Sequence, residues 1–169
     1  MLPMIELYTD GASSGNPGPG GYGTILRTRY SGENEAFKGK LIEKTFSEGF
    51  RRTTNNRMEL MAVIIGLEAL KSPQQQVTIY SDSKYVIDAI DKKWVYGWIQ
   101  KGFQGKKNKD LWIRLMKSYK LHQVRLVWVK GHAGHPDNER CDQLAVAASK
   151  DKANWKIDTV FEQEEKAQG

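Results

Sequence analysis

The stretch "YTDGASSGNPGPGGYG", residues 8 to 23, poses the first problem. The residues ahead of it, 4 to 9, read as a β-strand, and Asp10 stands where that strand is expected to stop. Residues 11 to 23 then hold six glycines and two prolines, a composition suited to a loop with special backbone conformations. Asp-Gly is good turn chemistry on its own. A carboxylate at the end of this strand therefore gains meaning only if other carboxylates stand in matching places.

Working outward, two more strands follow at 21–30 and 41–50, each rich in β-branched or aromatic residues and joined by a polar hairpin tip at 31–40. "NNRMELMAVIIGLEALK" (55–71) is apolar at 60, 63, 64, 67 and 70, helical spacing, and apolar enough around its circumference to be largely buried. "QVTIYSD" (76–82) is a short strand, "SKYVIDAI" (83–90) a helix, and 93–120 is mostly helical with a break around "KGFQGKKNK". "QVRLVWVK" (123–130) is a strand, "GHAGHP" a loop and "DNERCDQLAVAASK" (137–150) a helix. This order predicts an α/β fold with a five-stranded mixed sheet: three antiparallel strands first, then two reached by crossovers, with helices on both faces. Residues 1–150 form the expected domain. Residues 151–169 form a C-terminal extension, partly docked through Trp155, Ile157, Val160 and Phe161 or frayed.

Composition narrows the classes. The 169 residues are 27% charged and 39% hydrophobic, as in an ordinary water-soluble globule. No apolar run reaches membrane-spanning length and no secretory leader is visible. The one cysteine, Cys141, fits a reducing compartment, so the expected location is the cytoplasm, with no membrane partner. Residues 91–120 carry eight lysines and one arginine against two aspartates, a local excess of +7 beside +6 for the whole chain. Trp94, Trp98 and Phe103 are interleaved with these lysines, which points to a nucleic-acid backbone as partner. A solvated lysine face is the plainer alternative.

The carboxylates then meet. Strand 4–9 ends in Asp10 and strand 76–82 in Asp82; as parallel neighbours they would bring the two about 5 Å apart at the edge where open α/β sheets bind ligands. Glu59 follows in the first turn of the buried helix, and Asp142 borders the apolar stripe 141, 144, 145 and 148 of the last one. Each has a plainer role: a cap for Asp82, a capping box with Asn56 for Glu59, a solvated flank for Asp142. Four acids in one cleft repel unless cations neutralise them, and oxygen ligands favour Mg²⁺ or Mn²⁺. The rival set, His132, His135 and Cys141 on zinc, lacks a fourth ligand at the usual spacing.

With these motifs in collinear order ("YTDGASSGNPGPGGYG", "RTTNNRMELMA", "IYSDSKYV", "WVKGHAGHPDNERCDQLA" and the Trp/Lys segment), residues 4 to 150 resemble type 1 ribonuclease H in its bacterial form. The resemblance implies an RNase H-like fold and endonucleolytic cleavage of the RNA strand of RNA/DNA hybrids. It implies two-metal-ion hydrolysis leaving 5′-phosphate and 3′-hydroxyl ends, with two Mg²⁺, or Mn²⁺ as substitute, bound alongside substrate. Asp10, Glu59, Asp82 and Asp142 then hold the metals, Asp10 bridging, and His132 assists proton transfer or product release. Asn16, Arg52 and Thr54 form a pocket for a DNA-strand phosphate, with the loop glycines letting backbone approach the nucleic acid. Asn55 and Asn56 reach the minor groove, where the 2′-hydroxyls mark RNA. Lys84 stands where the family often has Gln. Trp94, Trp98, Lys101, Lys106, Lys107 and Lys109 form a shortened basic handle, while Trp112 belongs to the core. The expected state is a stand-alone monomer; an RNase H domain of a reverse transcriptase and a non-catalytic hybrid-binding module are the alternatives.

Overall fold

Burial alternates from Met4 to Thr9 and is then continuous through Gly11, where both faces are covered, and the segment Met4–Ser13 is β1, the central strand. The structure is a computed structural model and describes residues 3–30, 39–131 and 134–169. β2 (Gly18–Arg29) and β3 (Leu41–Thr53) complete an antiparallel meander. Next come α1 (Asn55–Glu68), β4 (Gln76–Ser81), α2 (Lys84–Asp91), α3 (Trp94–Gln100), α4 (Lys109–Tyr119) and β5 (Gln123–Trp128). The chain closes with α5 (Pro136–Lys150), a single 3₁₀ turn at Lys152–Asn154 and α6 (Thr159–Gln168). The sheet order is β3-β2-β1-β4-β5, with β4 parallel to β1 and β5 parallel to β4. The expected fold is therefore present: three antiparallel strands, then two added by crossovers.

One expectation is corrected. β1 does not stop at Asp10 but runs on to Ser13, and β2 has already begun at Gly18, leaving only 14–17 as the hairpin turn. Glycines lack side chains but keep both backbone hydrogen-bonding groups, so Asp10 pairs with Gly23 and Ser13 with Gly20 across the ladder.

The glycines serve packing. A Cβ on Gly21 would lie 2.5 Å from the Ala145 carbonyl oxygen, one on Gly23 2.3 Å from that of Cys141, and one on Gly49 2.0 Å from that of Ala148. The three form a trough in β2 and β3 that lets the backbone of α5 lie directly on the sheet. Gly11 does the same for α1, since a Cβ there would meet the Glu59 nitrogen at 2.4 Å. What these glycines admit is two helices rather than a nucleic-acid backbone.

On the opposite face from α5, α1 sits between the sheet and α4. Met58, Leu60, Ala62, Val63, Ile64 and Leu67 are all buried, as its all-round apolar sequence requires. Trp112 and Leu115 of α4 close the core. Thr54 caps α1, accepting from the Arg57 N–H, and Ser83 caps α2, accepting from that of Val86. The capping duties that the sequence offered to Glu59 and Asp82 thus belong to neighbours, and both acids are left for other work.

Candidate active site

The site lies where Tyr8 of β1 pairs with Tyr80 of β4 in parallel register and an aspartate stands two residues farther on in each, Asp10 within β1 and Asp82 just past the end of β4. Glu59 enters from α1 because Gly11 lets that helix approach. Asp10, Glu59 and Asp82 each present an oxygen, and these oxygens lie within 4.8 Å of one another. Asp142, one turn beyond Asn138 on α5, lines the same cleft with Asp10 and Asp82. The structure therefore brings together all four acids singled out in the sequence, three tightly and the fourth at the wall. His132 lies outside the described residues.

The electrostatics follow from crowding. Burial, with the neighbouring Asp82 and Asp142 charges added, pushes the Asp10 carboxyl up to about 8, against the lowering pull of hydrogen bonds to Glu59 and the Gly11 N–H. Burial, followed by the charges of Asp10 and Asp82, drives Glu59 well above the usual carboxylate range. Its Oε2 is buried and has no hydrogen-bond partner among the described residues. A buried carboxylate oxygen left unsatisfied is costly, and here it faces two further acids. Protons or a hard cation must neutralise this set, and the donors are all oxygens, which suits Mg²⁺ or Mn²⁺ far better than zinc.

The zinc alternative is removed by Cys141. Its thiol is buried against the sheet and donates to the Tyr8 carbonyl at 3.1 Å, and burial holds it protonated by raising its pKa. It faces away from the cleft and offers no thiolate.

Two charge networks hold the helices that carry the acids. Arg27 on β2 makes a bidentate pair with Asp137 of α5 at 2.9 and 2.7 Å and also reaches Glu43 on β3, pinning the start of α5. Arg57, two residues before Glu59, is almost fully buried and fork-paired with both Asp110 of α4 and Asp158, the residue ahead of α6. Thr53 Oγ1 donates to the same Asp158 carboxylate at 2.7 Å. The segment after α5 is thereby tied into the start of the helix that carries Glu59.

Several residues around the cleft went unread in the sequence. Lys130, Gly131, Asn138 and Glu139 line it with the acids, beside His135, which the sequence had offered only to zinc. Asn138 could have been found, because it precedes Asp142 by four residues and so shares its helix face. Its side-chain amide donates to the Tyr80 carbonyl, and its buried Oδ1 has no partner among the described residues. Trp128 was also missed. Its indole N–H donates to the Asp82 carbonyl at 3.3 Å, and the Lys84 ammonium sits 4.6 Å from its ring centre, so Lys84 is held beside the carboxylates.

Farther along the same edge, Asn16 Oδ1 accepts from the Asn55 N–H at 3.1 Å. Asn16, Thr54, Asn56 and Lys107 share one cavity with Phe161, Glu164 and Glu165 of α6. Asn55 and Asn56 are exposed on the first turn of α1. Arg52, the remaining member of the expected phosphate pocket, is fork-paired with Glu165 at 2.7 and 2.8 Å.

In the basic segment Trp94 is exposed, with Lys92 over its ring, whereas Trp98 packs edge-on against Trp112 at 5.7 Å. Trp112 is wholly buried, as expected of a core residue. Phe103, read with the gripping aromatics, is instead buried in the core. Its burial anchors the turn between α3 and α4, which leaves Lys101, Lys106, Lys107 and Lys109 exposed.

Comparison with known proteins agrees with this geometry. The RNase H family model matches residues 3–150. The chain is 53% identical to a Ribonuclease H of Desulforamulus reducens over 154 residues, 88% of this chain and 89% of that one. Among solved structures it is similar to LC9-RNase H1, a type 1 RNase H with the type 2 active-site motif, at 33% identity and TM-score 0.77 over 88% of this chain and 73% of that one. It is also similar to LC11-RNase H1 in complex with RNA/DNA hybrid, at 25% identity and TM-score 0.60 over 88% of this chain and 98% of that one.

Proposed function

Given that the chain belongs to the ribonuclease H family, we propose that it is an endoribonuclease that cleaves the RNA strand of RNA/DNA hybrids, leaving 5′-phosphate and 3′-hydroxyl ends. The observation that carries this reading is the close trio of buried Asp10 and Glu59 with half-buried Asp82, in which one Glu59 oxygen is left unsatisfied among the described residues. Such a set is unfavourable until positive charge enters it. Asp10, Glu59, Asp82 and Asp142 would hold two Mg²⁺, or Mn²⁺ in their place. When bound, such ions supply a lowered pKa for water and a clamp on the scissile phosphate and its leaving oxygen.

The chain's own residues do the rest. Asp10 neighbours Glu59 and feels the charges of both Asp82 and Asp142, which suits the bridging role. Glu59 is held by the helix that Gly11 admits, and Arg57 fixes the start of that helix, so the trio is preorganised before substrate arrives. Lys84, seated on Trp128, places a positive charge at the cleft mouth for a backbone phosphate. His132 is assigned proton transfer or product release. Asn16, Thr54 and Arg52 receive a DNA-strand phosphate, and Asn55 and Asn56 face the minor groove, where hydrogen bonds to 2′-hydroxyls distinguish the RNA strand. Trp94 and Lys101, Lys106, Lys107 and Lys109 grip backbone farther along. We read residues 1–150 as the catalytic domain of a monomer acting in the cytoplasm, with 151–169 as an extension docked on it; no helix among the described residues is long and apolar enough to cross a membrane.

The test is cleavage of a labelled RNA/DNA hybrid beside a DNA duplex of the same sequence, with Mg²⁺ and with EDTA. Cutting of the RNA strand alone, only with metal, is expected. Equal cutting of both duplexes would overturn the roles of Asn55 and Asn56, and binding without any cutting would favour a non-catalytic module.

A further inference from the structure

Arg51 and Arg52, adjacent at the end of β3, are both exposed and both engaged by α6. Glu162 takes Arg51 with N···O distances of 2.9 to 3.2 Å, and Glu165 takes Arg52 at 2.7 and 2.8 Å. The cavity that contains Asn16, Thr54, Asn56 and Lys107 is closed on its other side by Phe161, Glu164 and Glu165. One wall of this cavity thus offers phosphate-binding groups, and the facing wall fills it with carboxylates. Residues 159–168 hold three glutamates and one lysine, so the helix that covers this strip is acidic where a polyanion is expected to run.

α6 is also built to leave. It has no buried residue, and its ion pairs with β3 lie at the surface, where such pairs are individually weak and screened by salt. Asp158 just ahead of it is a fixed point, buried and bonded to both Thr53 and Arg57. A firm anchor followed by a weakly held helix is a pivot.

We infer that Glu162 and Glu165 set the substrate affinity of this enzyme. Glu165 holds in cis Arg52, which the hybrid's DNA strand must claim, and Glu162 holds the same helix down through Arg51, so binding of the hybrid displaces α6 about Asp158. This rests on the reading of Asn16, Arg52 and Thr54 as a phosphate pocket. A carboxylate and a phosphate cannot share the Arg52 fork, so the two compete for it, and the energy that holds α6 down is subtracted from the affinity for hybrid.

The test uses the full chain and a fluorescent RNA/DNA hybrid, with Kd read by anisotropy in EDTA and KM and kcat measured in Mg²⁺. Glu165→Gln should lower Kd and KM by about 2- to 5-fold, the range of one exposed ion pair, and leave kcat within about 2-fold. Glu162→Gln/Glu165→Gln should lower Kd further. In an Arg52→Ala background the gain from Glu165→Gln should vanish. An unchanged Kd on Glu165→Gln, with Arg52→Ala still weakening binding, would overturn the competition while leaving the phosphate pocket standing. An equal gain with and without Arg52 would mean long-range charge alone and would also overturn it. If Arg52→Ala leaves Kd unchanged even beside Glu165→Gln, the phosphate pocket itself fails and the inference falls with it.

Discussion

Replacing Asp10 by asparagine should make the metal-free protein more stable, by an amount set by pH. The Asp10 carboxyl has its pKa raised from 3.8 to about 8, chiefly by burial and by Asp82. A group whose folded pKa lies above its unfolded value contributes fully below the unfolded pKa and loses that contribution as pH rises through the folded one. The wild-type protein is therefore penalised progressively between about pH 4 and about pH 8, a window that the amide does not share. At about pH 7 the penalty reaches at most about 4 kcal/mol, taking about 1.36 kcal/mol for each pKa unit crossed. Asparagine keeps an oxygen to accept from the Gly11 N–H, which Asp10 Oδ1 does at 2.9 Å, so that bond is not lost. Since Glu59 shares the repulsion, a gain of about 2–4 kcal/mol is expected at about pH 7, which for a chain of this size raises Tm by about 4–16 °C.

The assay is thermal unfolding in EDTA, followed by circular dichroism in steps from about pH 4 to about pH 8.5. The difference between variant and wild type should be near zero at the acid end and grow with pH. Adding Mg²⁺ should then raise the wild-type Tm, more strongly at the alkaline end because the ions must expel the retained protons, and should do less for the variant. A gain that is absent, or that stays constant across the whole range, would refute the claim that charge repulsion is held in this trio.

Asp10→Asn and Asp82→Asn should each remove nearly all cleavage in Mg²⁺ while hybrid binding is retained, because a negative charge facing the phosphate goes with the ligand; a gel assay beside anisotropy checks both. Changing Lys101, Lys106, Lys107 and Lys109 together to Ala should raise KM clearly with little change in kcat, and flatten the slope of log affinity against log salt by up to about 3 to 4. An unchanged KM with an unchanged slope would reduce those lysines to a solvated face. Asp158→Ala should destabilise by about 2–4 kcal/mol in chemical unfolding, since it leaves Arg57 buried with only half its carboxylate partners.

The parts of the fold that were legible in the sequence are those written in local periodicity. The strand ahead of Asp10, the all-round apolar α1 and the strand that ends in Asp82 each announce their environment within a few residues, and their order fixes the crossovers. The acids were legible because two end strands that must lie side by side. What stayed hidden depends on distant partners. Gly21 and Gly23 look like turn residues, and Gly49 like an ordinary strand position, until α5, about a hundred residues later, is laid across them. Arg57 looks like a polar residue opening a helix, and nothing near it in sequence marks Asp110 or Asp158 as its partners.

The basic segment shows the same limit from the other side. Charge and aromatic content alone made Phe103 look like a surface group beside the lysines, yet it packs inward, while half-buried Trp98 rests one edge on the core and carries Lys106 over its ring; it is this that gives the lysines their position. With Phe103 sunk in the core between α3 and α4, the chain must loop outward on either side of it. Lys101, Lys106, Lys107 and Lys109 are carried out on that loop, and Lys107 arrives in the cavity of Asn16, Thr54 and Asn56. A residue from the handle and residues from the start of α1 thus address one spot, which the sequence had assigned to two separate duties. A phosphate bound there would be sensed by both, so Lys107→Ala should weaken hybrid binding more than Lys101→Ala, whose side chain is equally exposed but does not line that cavity. Equal losses for the two single variants, measured by anisotropy at the same salt, would mean that the lysines act only through their summed charge.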